Sequence, residues 1–421
     1  MQATKKNYTT PLILIGILFF IFGFITWSNS QLIPYLKIAC DLTDTESYLV
    51  ATSFFAAYFV MAIPSSMVLQ KTGFKNGMSV GLLVMAVGAI MFVPAAQARS
   101  YPFFLSALFV IGSGLALLQT ASNPYVTVLG PIESAAKRIS IMGICNKIAG
   151  ILAVYVLGSI TLSNVDALKE KLMILSPEEK VVELTALASK VITPYIIIAV
   201  VLAALAVAFY FIHLPDIEQE EDKSSSNEIN SKTSVFQFPN LVLGVVAIFL
   251  YVGVEVISYD TFSSFGEALG FTLQTSKNFA SYTGYGLLAG YLLSIVAIPT
   301  YISQQKALKI ATILSIMMVL IAMFAKGNVA VACFALLGFT NSVMWPAIWP
   351  IAIHGLGRFI KTGSALLIMG ILGGAVLPPL YGKFAEIIGD KQMAYGIMIP
   401  CYLFILYYAS KAAKQNLGTK G

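Results

Sequence analysis

Charge is what this sequence lacks most. Of its 421 residues only 11% are Asp, Glu, Lys or Arg, against 58% hydrophobic, and mean hydropathy is +0.82. That composition excludes an ordinary soluble domain and makes the lipid bilayer the chain's main partner. Histidine occurs twice, as His213 and His354, both at expected span ends and with no metal or nucleophile constellation around them, so an enzyme is not expected. Cysteine is scarce as well. Cys40, Cys145, Cys333 and Cys401 are scattered without CxxC spacing, which indicates neither a zinc site nor a disulfide framework, and no cofactor is expected. The net charge of +6 is not gathered into a patch that would hold nucleic acid. The first apolar run is too long, and too poor in small residues at its end, for a cleavable signal peptide.

What the chain has is apolar length. A membrane span needs about 20 mostly apolar residues. Twelve such stretches occur, at about 12–36, 47–69, 77–97, 102–129, 139–163, 192–213, 239–262, 278–302, 307–325, 329–353, 362–387 and 392–410. The expected fold is all-α and integral to the membrane. With both termini cytoplasmic, inner segments hold 15 of the 26 basic residues and outer segments hold 10; four of those 10 sit in one long loop. The short loops therefore set the orientation, with positive charge inside.

Two polar pieces interrupt the spans. Residues 164–190 contain Ser176-Pro-Glu-Glu179, an N-cap followed by Pro and acids, which predicts a short helix at about 176–190 on the outer face. Residues 214–237 are acidic, then Ser-rich, and are expected to be a flexible cytoplasmic linker between a first half (1–213) and a second (238–421). The halves echo each other. Phe19–Ser30 lies over Phe249–Asp260 at an offset of 230, aligning Gly23 with Gly253 and Ser28 with Ser258; Ile141-Met-Gly143 matches Ile368-Met-Gly370. Setting Pro124 on Pro346 places Gln119 against Asn341. Six plus six spans with such matches predict a duplicated, pseudo-symmetric fold with its site between the halves.

Polar groups inside the spans mark that site. Lipid offers no partner to Gln119 or Asn123, so they are expected to face the bundle interior or a water-filled path. Pro124 should loosen the helix one turn back, near Gln119 and Thr120. Glu255 is the one carboxylate, and Lys147 the one cation, clearly inside a span. Glu255 is open to two readings, a proton or sodium site and a structural or gating pair with Lys147. Lys147 could instead snorkel or hydrogen-bond a sugar. Asp260 lies five residues, roughly 140° of helix, beyond Glu255, so both face one cavity only if the helix unwinds. A solvated place at the outer mouth is expected for it. Trp27, Tyr251, Tyr259, Tyr282, Tyr285, Trp345 and Trp349 suit stacking on an apolar sugar face or anchoring at the interface. The glycines at 284, 286, 290, 370, 373 and 374 are expected to let helices approach closely.

The runs Trp27-Ser-Asn-Ser-Gln-Leu-Ile-Pro34, Ala57-Tyr-Phe-Val-Met-Ala-Ile-Pro64, Asn123-Pro-Tyr-Val-Thr-Val-Leu-Gly-Pro131 and Tyr251-Val-Gly-Val-Glu255 resemble the fucose–galactose–glucose symporter family of the major facilitator superfamily. The resemblance spans nearly the whole chain. It implies twelve transmembrane helices in two six-helix halves, in a bacterial inner membrane, that import a hexose or deoxyhexose by alternating access as a monomer, with a proton as the usual coupling ion. Departures bear on the coupling. Two carboxylates of the fucose permease branch are neutral here, at Ser30 and Gln119, and neither can exchange a proton near neutral pH. Gln119 and Glu255 instead resemble the glucose/galactose branch. Gln70 stands where the superfamily's loop motif commonly has Asp. Sodium therefore stands beside the proton as coupling cation, and an uncoupled facilitator or a non-transporting sugar sensor remains the alternative. The expected sugar-binding set is Gln119, Asn123, Asn146, Lys147, Asn341 and Trp345, with Ser30, Asn29, Trp27 and Tyr259 at the outer end; Glu255 and Asp260 are the expected ion-coupling residues.

Overall fold

A chain crossing hydrocarbon must satisfy its backbone polar groups within itself, and helices do so locally. The computed structural model describes residues 9–128, 135–212, 234–298, 301–353, 356 and 359–414, and among these no strand occurs. Twelve helical segments are long and apolar enough to cross a membrane. Spans 1 to 6 are Thr10–Ala39, Asp44–Leu69, Lys71–Gln97, Tyr101–Asn123, Ile141–Ile174 and Pro177–Phe211. Spans 7 to 12 are Pro239–Asp260, Leu273–Ala297, Gln304–Phe324, Gly327–Ile353, Leu366–Ile388 and Met393–Lys411. Their outer surfaces carry exposed apolar side chains such as Ile63, Leu83, Val200, Leu293 and Ile387, as a lipid-facing surface requires.

The duplication is visible in the packing. Span 1 lies on span 5, and span 7 on span 11. A Cβ on Gly23 would sit 1.8 Å from the Asn146 carbonyl oxygen, and one on Gly253 would sit 2.1 Å from the Leu377 side chain. The two aligned glycines are thus where the first helix of each half touches its fifth. Span 4 meets span 2 at Gly112, and span 10 meets span 8 at Gly338, each against a backbone carbonyl. The glycines expected to permit close approach do so: Gly286 and Gly373 face the backbone of neighbouring spans, and Gly284, Gly290, Gly370 and Gly374 face side chains. Gly73, between spans 2 and 3, has φ +71°, a value that side-chain-bearing residues rarely adopt.

Polar segments follow local rules. Ser176 caps the helix Pro177–Ser189 in a reciprocal box with Glu179, as its sequence indicates. The preceding stretch is also helical, Val165–Ile174, which the sequence reading treats only as loop. The linker expected at 214–237 lies outside the described residues up to 233; Ser234 then caps a 3₁₀ turn, Val235–Gln237. "Outer" denotes the side that the basic residues assign to the outside.

Candidate binding site

Spans 1, 10 and 11 are not continuous helices. Span 1 divides at Ser28 into Thr9–Trp27 and Asn29–Ala39. Pro34, inside the second piece, lacks the N–H that would bond the Ser30 carbonyl. Span 10 divides into Gly327–Asn341 and Met344–Ile353, just before Pro346. Span 11 tightens into a 3₁₀ turn at Gly370–Leu372 and then carries Pro378 and Pro379. Pro379 removes the helical donor of the Ala375 carbonyl, and the Thr52 hydroxyl of span 2 donates to that oxygen at 2.6 Å from the other half. The loosening expected at Pro124 does not interrupt its helix, which runs unbroken over Tyr101–Val128.

Around these interruptions sits a buried polar cluster drawn from both halves. Lys147 of span 5 donates to Glu255 of span 7 at 3.2 Å, and the two residues are 6% and 7% exposed. The same ammonium lies 4.1 Å from the Trp27 ring centroid, a cation–π contact. Trp27 Nε1 donates to Asn146 Oδ1 at 3.2 Å, and its ring leans on Tyr259 with centroids 4.2 Å apart. Trp27, Asn146, Lys147, Glu255 and Tyr259 therefore form one connected group across the seam. Tyr251 lies one turn before Glu255, and its ring stands 6.4 Å from Trp345, which stacks on Trp349.

The other expected residues fall around this group. Gln119 is half-buried and its amide donates to the Tyr58 hydroxyl at 2.8 Å. Asn123 is half-buried one turn on. Asn341 is fully buried; its amide nitrogen donates to Ser258 at 3.4 Å and its oxygen accepts from Tyr402 at 2.9 Å. Ser30 is also buried, and its hydroxyl donates to the Trp27 carbonyl at 2.8 Å, so it braces the break in span 1. Tyr282 and Tyr285 stand exposed on the bundle surface, where Tyr285 donates to Tyr155, away from the central group. Tyr58 and Tyr402 are partners the sequence reading did not single out, and Ser258 entered it only as a repeat match; Tyr58 was within a quoted motif, whereas Tyr402 carried no signal.

Asp260 differs from its expected solvated place at the outer mouth. It is 2% exposed, because the helix Asn29–Ala39 packs over the end of span 7. Span 7 remains α-helical through Asp260, so Glu255 and Asp260 point apart, one at Lys147 and the other into a narrow outer cleft. Neither Asp260 oxygen has a hydrogen-bond partner among the described residues, and the same holds for both amide atoms of Asn29.

The outer ends of the two halves are tied together. Gln31 donates to the Lys277 carbonyl and Lys277 to the Leu162 carbonyl. Asp166 accepts from the backbone of Leu273 and Gln274, Lys169 pairs with Glu267, Thr45 donates to Glu386, and Lys391 pairs with Asp44 at 2.8 Å.

Comparison with known proteins agrees with this architecture. Residues 15–370 match the Major Facilitator Superfamily. The chain is 34% identical to a glucose/galactose transporter of Brucella abortus over 416 residues, covering 98% of this chain and 96% of the relative. It is 29% identical to the L-fucose-proton symporter of Escherichia coli, over 96% of this chain and 93% of that one. Among solved structures, FucP in the outward conformation aligns with TM-score 0.74 and 28% identity, covering 96% and 99% of the two chains. Matched over most of its length by both sequence and fold, the chain belongs to the major facilitator superfamily.

Proposed function

We propose that this protein imports a hexose or deoxyhexose of the glucose, galactose or fucose class by alternating access, coupled to a cation, with both termini cytoplasmic in a bacterial inner membrane. The halves, 1–213 and 238–421, rock about the central group. The observation that carries this reading is the buried polar cluster joining spans 1, 5 and 7 inside the bundle. Polar and ionised groups within membrane spans are costly and commonly mark a solute path. Gln119, Asn123 and Asn146 offer amides that both donate and accept, which suits sugar hydroxyls. Trp345, Trp27 and Tyr259 offer aromatic faces for the apolar side of a pyranose. Lys147 and Glu255 supply a donor and an acceptor that a sugar can share when the pair loosens. Asn341 and Ser30 hold the interrupted helices whose bending moves the site, and Asn29 presents an unpartnered amide beside the break in span 1. Glu255 and Asp260 are the carboxylates available for coupling.

The relatives named as glucose/galactose transporters and fucose–proton symporters support the substrate class. The test is uptake of labelled glucose, galactose and fucose into proteoliposomes, with proton and sodium gradients imposed separately. Accumulation above equilibrium under one gradient is expected. Uptake that only equilibrates would make the protein a facilitator, in keeping with neutral Ser30 and Gln119, and no uptake of any of the three would refute sugar transport.

A further inference from the structure

We propose that Asp260, Ser263 and Asn29 form a sodium site on the outer seam between the halves, and that the bound ion holds the outer ends closed. The inference rests on the cation-coupled reading above and supplies its location and its ion.

Burying an ionised carboxylate without a partner is among the most unfavourable arrangements in a protein. Asp260 has neither a donor nor a paired cation among the described residues. The nearby charges are already committed. Lys37 and Asp44 line the same cleft and pair with each other, and Lys391 binds Asp44 and Ser264. Glu267, also in the cleft, pairs with Lys169, and Glu255 pairs with Lys147. Tyr48 and Tyr259 flank the carboxylate from either half. These lysines and carboxylates balance overall, yet two of the lysines share Asp44 and none reaches Asp260, so its charge is uncompensated where it sits.

The surrounding atoms favour a metal ion over a proton. Ser263, 2% exposed, lines the cleft with an unpartnered hydroxyl. Asn29 lies on the same face of its helix as Ile33, one turn deeper, and Ile33 lines the cleft; the Asn29 amide is wholly buried and unpartnered. A proton on Asp260 would satisfy one oxygen and leave the rest. A small hard cation gathers several oxygens at once. Because Asn29 comes from the first half and Asp260 and Ser263 from the second, the site is complete only when the outer ends meet.

The test is equilibrium binding of ²²Na⁺ to the purified full-length protein, with choline holding ionic strength constant, alongside hexose counterflow in proteoliposomes. Saturable binding is expected for the wild type, weakened at least tenfold in Asp260→Asn, weakened severalfold in Ser263→Ala and kept in Glu255→Gln. A cooperative thermal unfolding transition and wild-type elution in gel filtration show that each variant is folded. Wild-type ²²Na⁺ affinity in both Asp260→Asn and Ser263→Ala overturns the site, as does absence of saturable binding in a wild type with intact counterflow. Intact ²²Na⁺ binding with no counterflow of any hexose would sink the sugar reading instead and leave the site standing.

Discussion

Cutting the Lys147–Glu255 pair should cost far more than removing it whole. At 3.2 Å and an effective dielectric of about 20, the attraction is about 5 kcal/mol. Much of that only offsets the desolvation of two side chains that are 7% and 10% exposed. Glu255→Met leaves the Lys147 cation buried without its carboxylate, and Lys147→Met does the reverse; each should destabilise the protein by about 3–5 kcal/mol. The double variant leaves two apolar chains facing each other and should recover most of that loss. The cycle is read from unfolding in mixed micelles titrated with denaturing detergent, and a coupling of about 2–3 kcal/mol is expected. The Trp27 contact of Lys147, lost in two corners of the cycle, cancels. Coupling below about 0.5 kcal/mol would refute the reasoning, since it would mean that water screens the pair. Uptake then separates the roles of Glu255: a purely structural pair regains transport in the double variant, whereas a carboxylate that handles the coupling ion does not.

Other expectations follow from the packing and the seam. Gly23→Ala should cost about 3 kcal/mol or more, because its Cβ meets the Asn146 backbone, whereas Gly253→Ala meets the movable Leu377 side chain and should cost about 1–2 kcal/mol; melting temperatures in detergent would rank them. The Lys169–Glu267 and Lys391–Asp44 ties are about a third exposed at most, so each is worth under about 1 kcal/mol after screening. Spin labels at Glu170 and Ala268 should show up to about a fivefold gain of the separated outer ends in Lys169→Ala, and no gain would remove these ties from the closing of the outer side. Gln119→Ala should raise the sugar KM about tenfold through lost hydrogen bonds in an uptake titration, and cost about 1 kcal/mol of stability because the buried Tyr58 hydroxyl loses its partner.

The apolar runs made the twelve spans legible, because hydrocarbon permits few alternatives to a helix. Gly23 and Gly253 were legible as a repeat, and the structure supplies the reason for their pairing. Ser176 announced its own cap. Lys147 and Glu255, lone ions in apolar spans, suggested one another. Asp260 was misplaced because its burial depends on a helix from the other half, and no local pattern records that partner. Pro124 stands in a helix that continues past it. A proline predicts a missing hydrogen bond, yet whether the helix then breaks is decided by its neighbours. The helix Val165–Ile174 was hidden in a stretch read as loop, where no cap like that of Ser176 marks its start; its N-cap, Asn164, lies in the left-handed region.

The hydrogen bond from Thr52 to Ala375 gives the seam a memory of water. Proline took away the carbonyl's own helical donor, so the oxygen is satisfied by the opposite half when the halves meet there. In the proposed rocking of the halves, a water molecule takes that place when they part and leaves when they close. The halves therefore cannot separate through a dry interface. Wetting of this strip is a step of the proposed cycle.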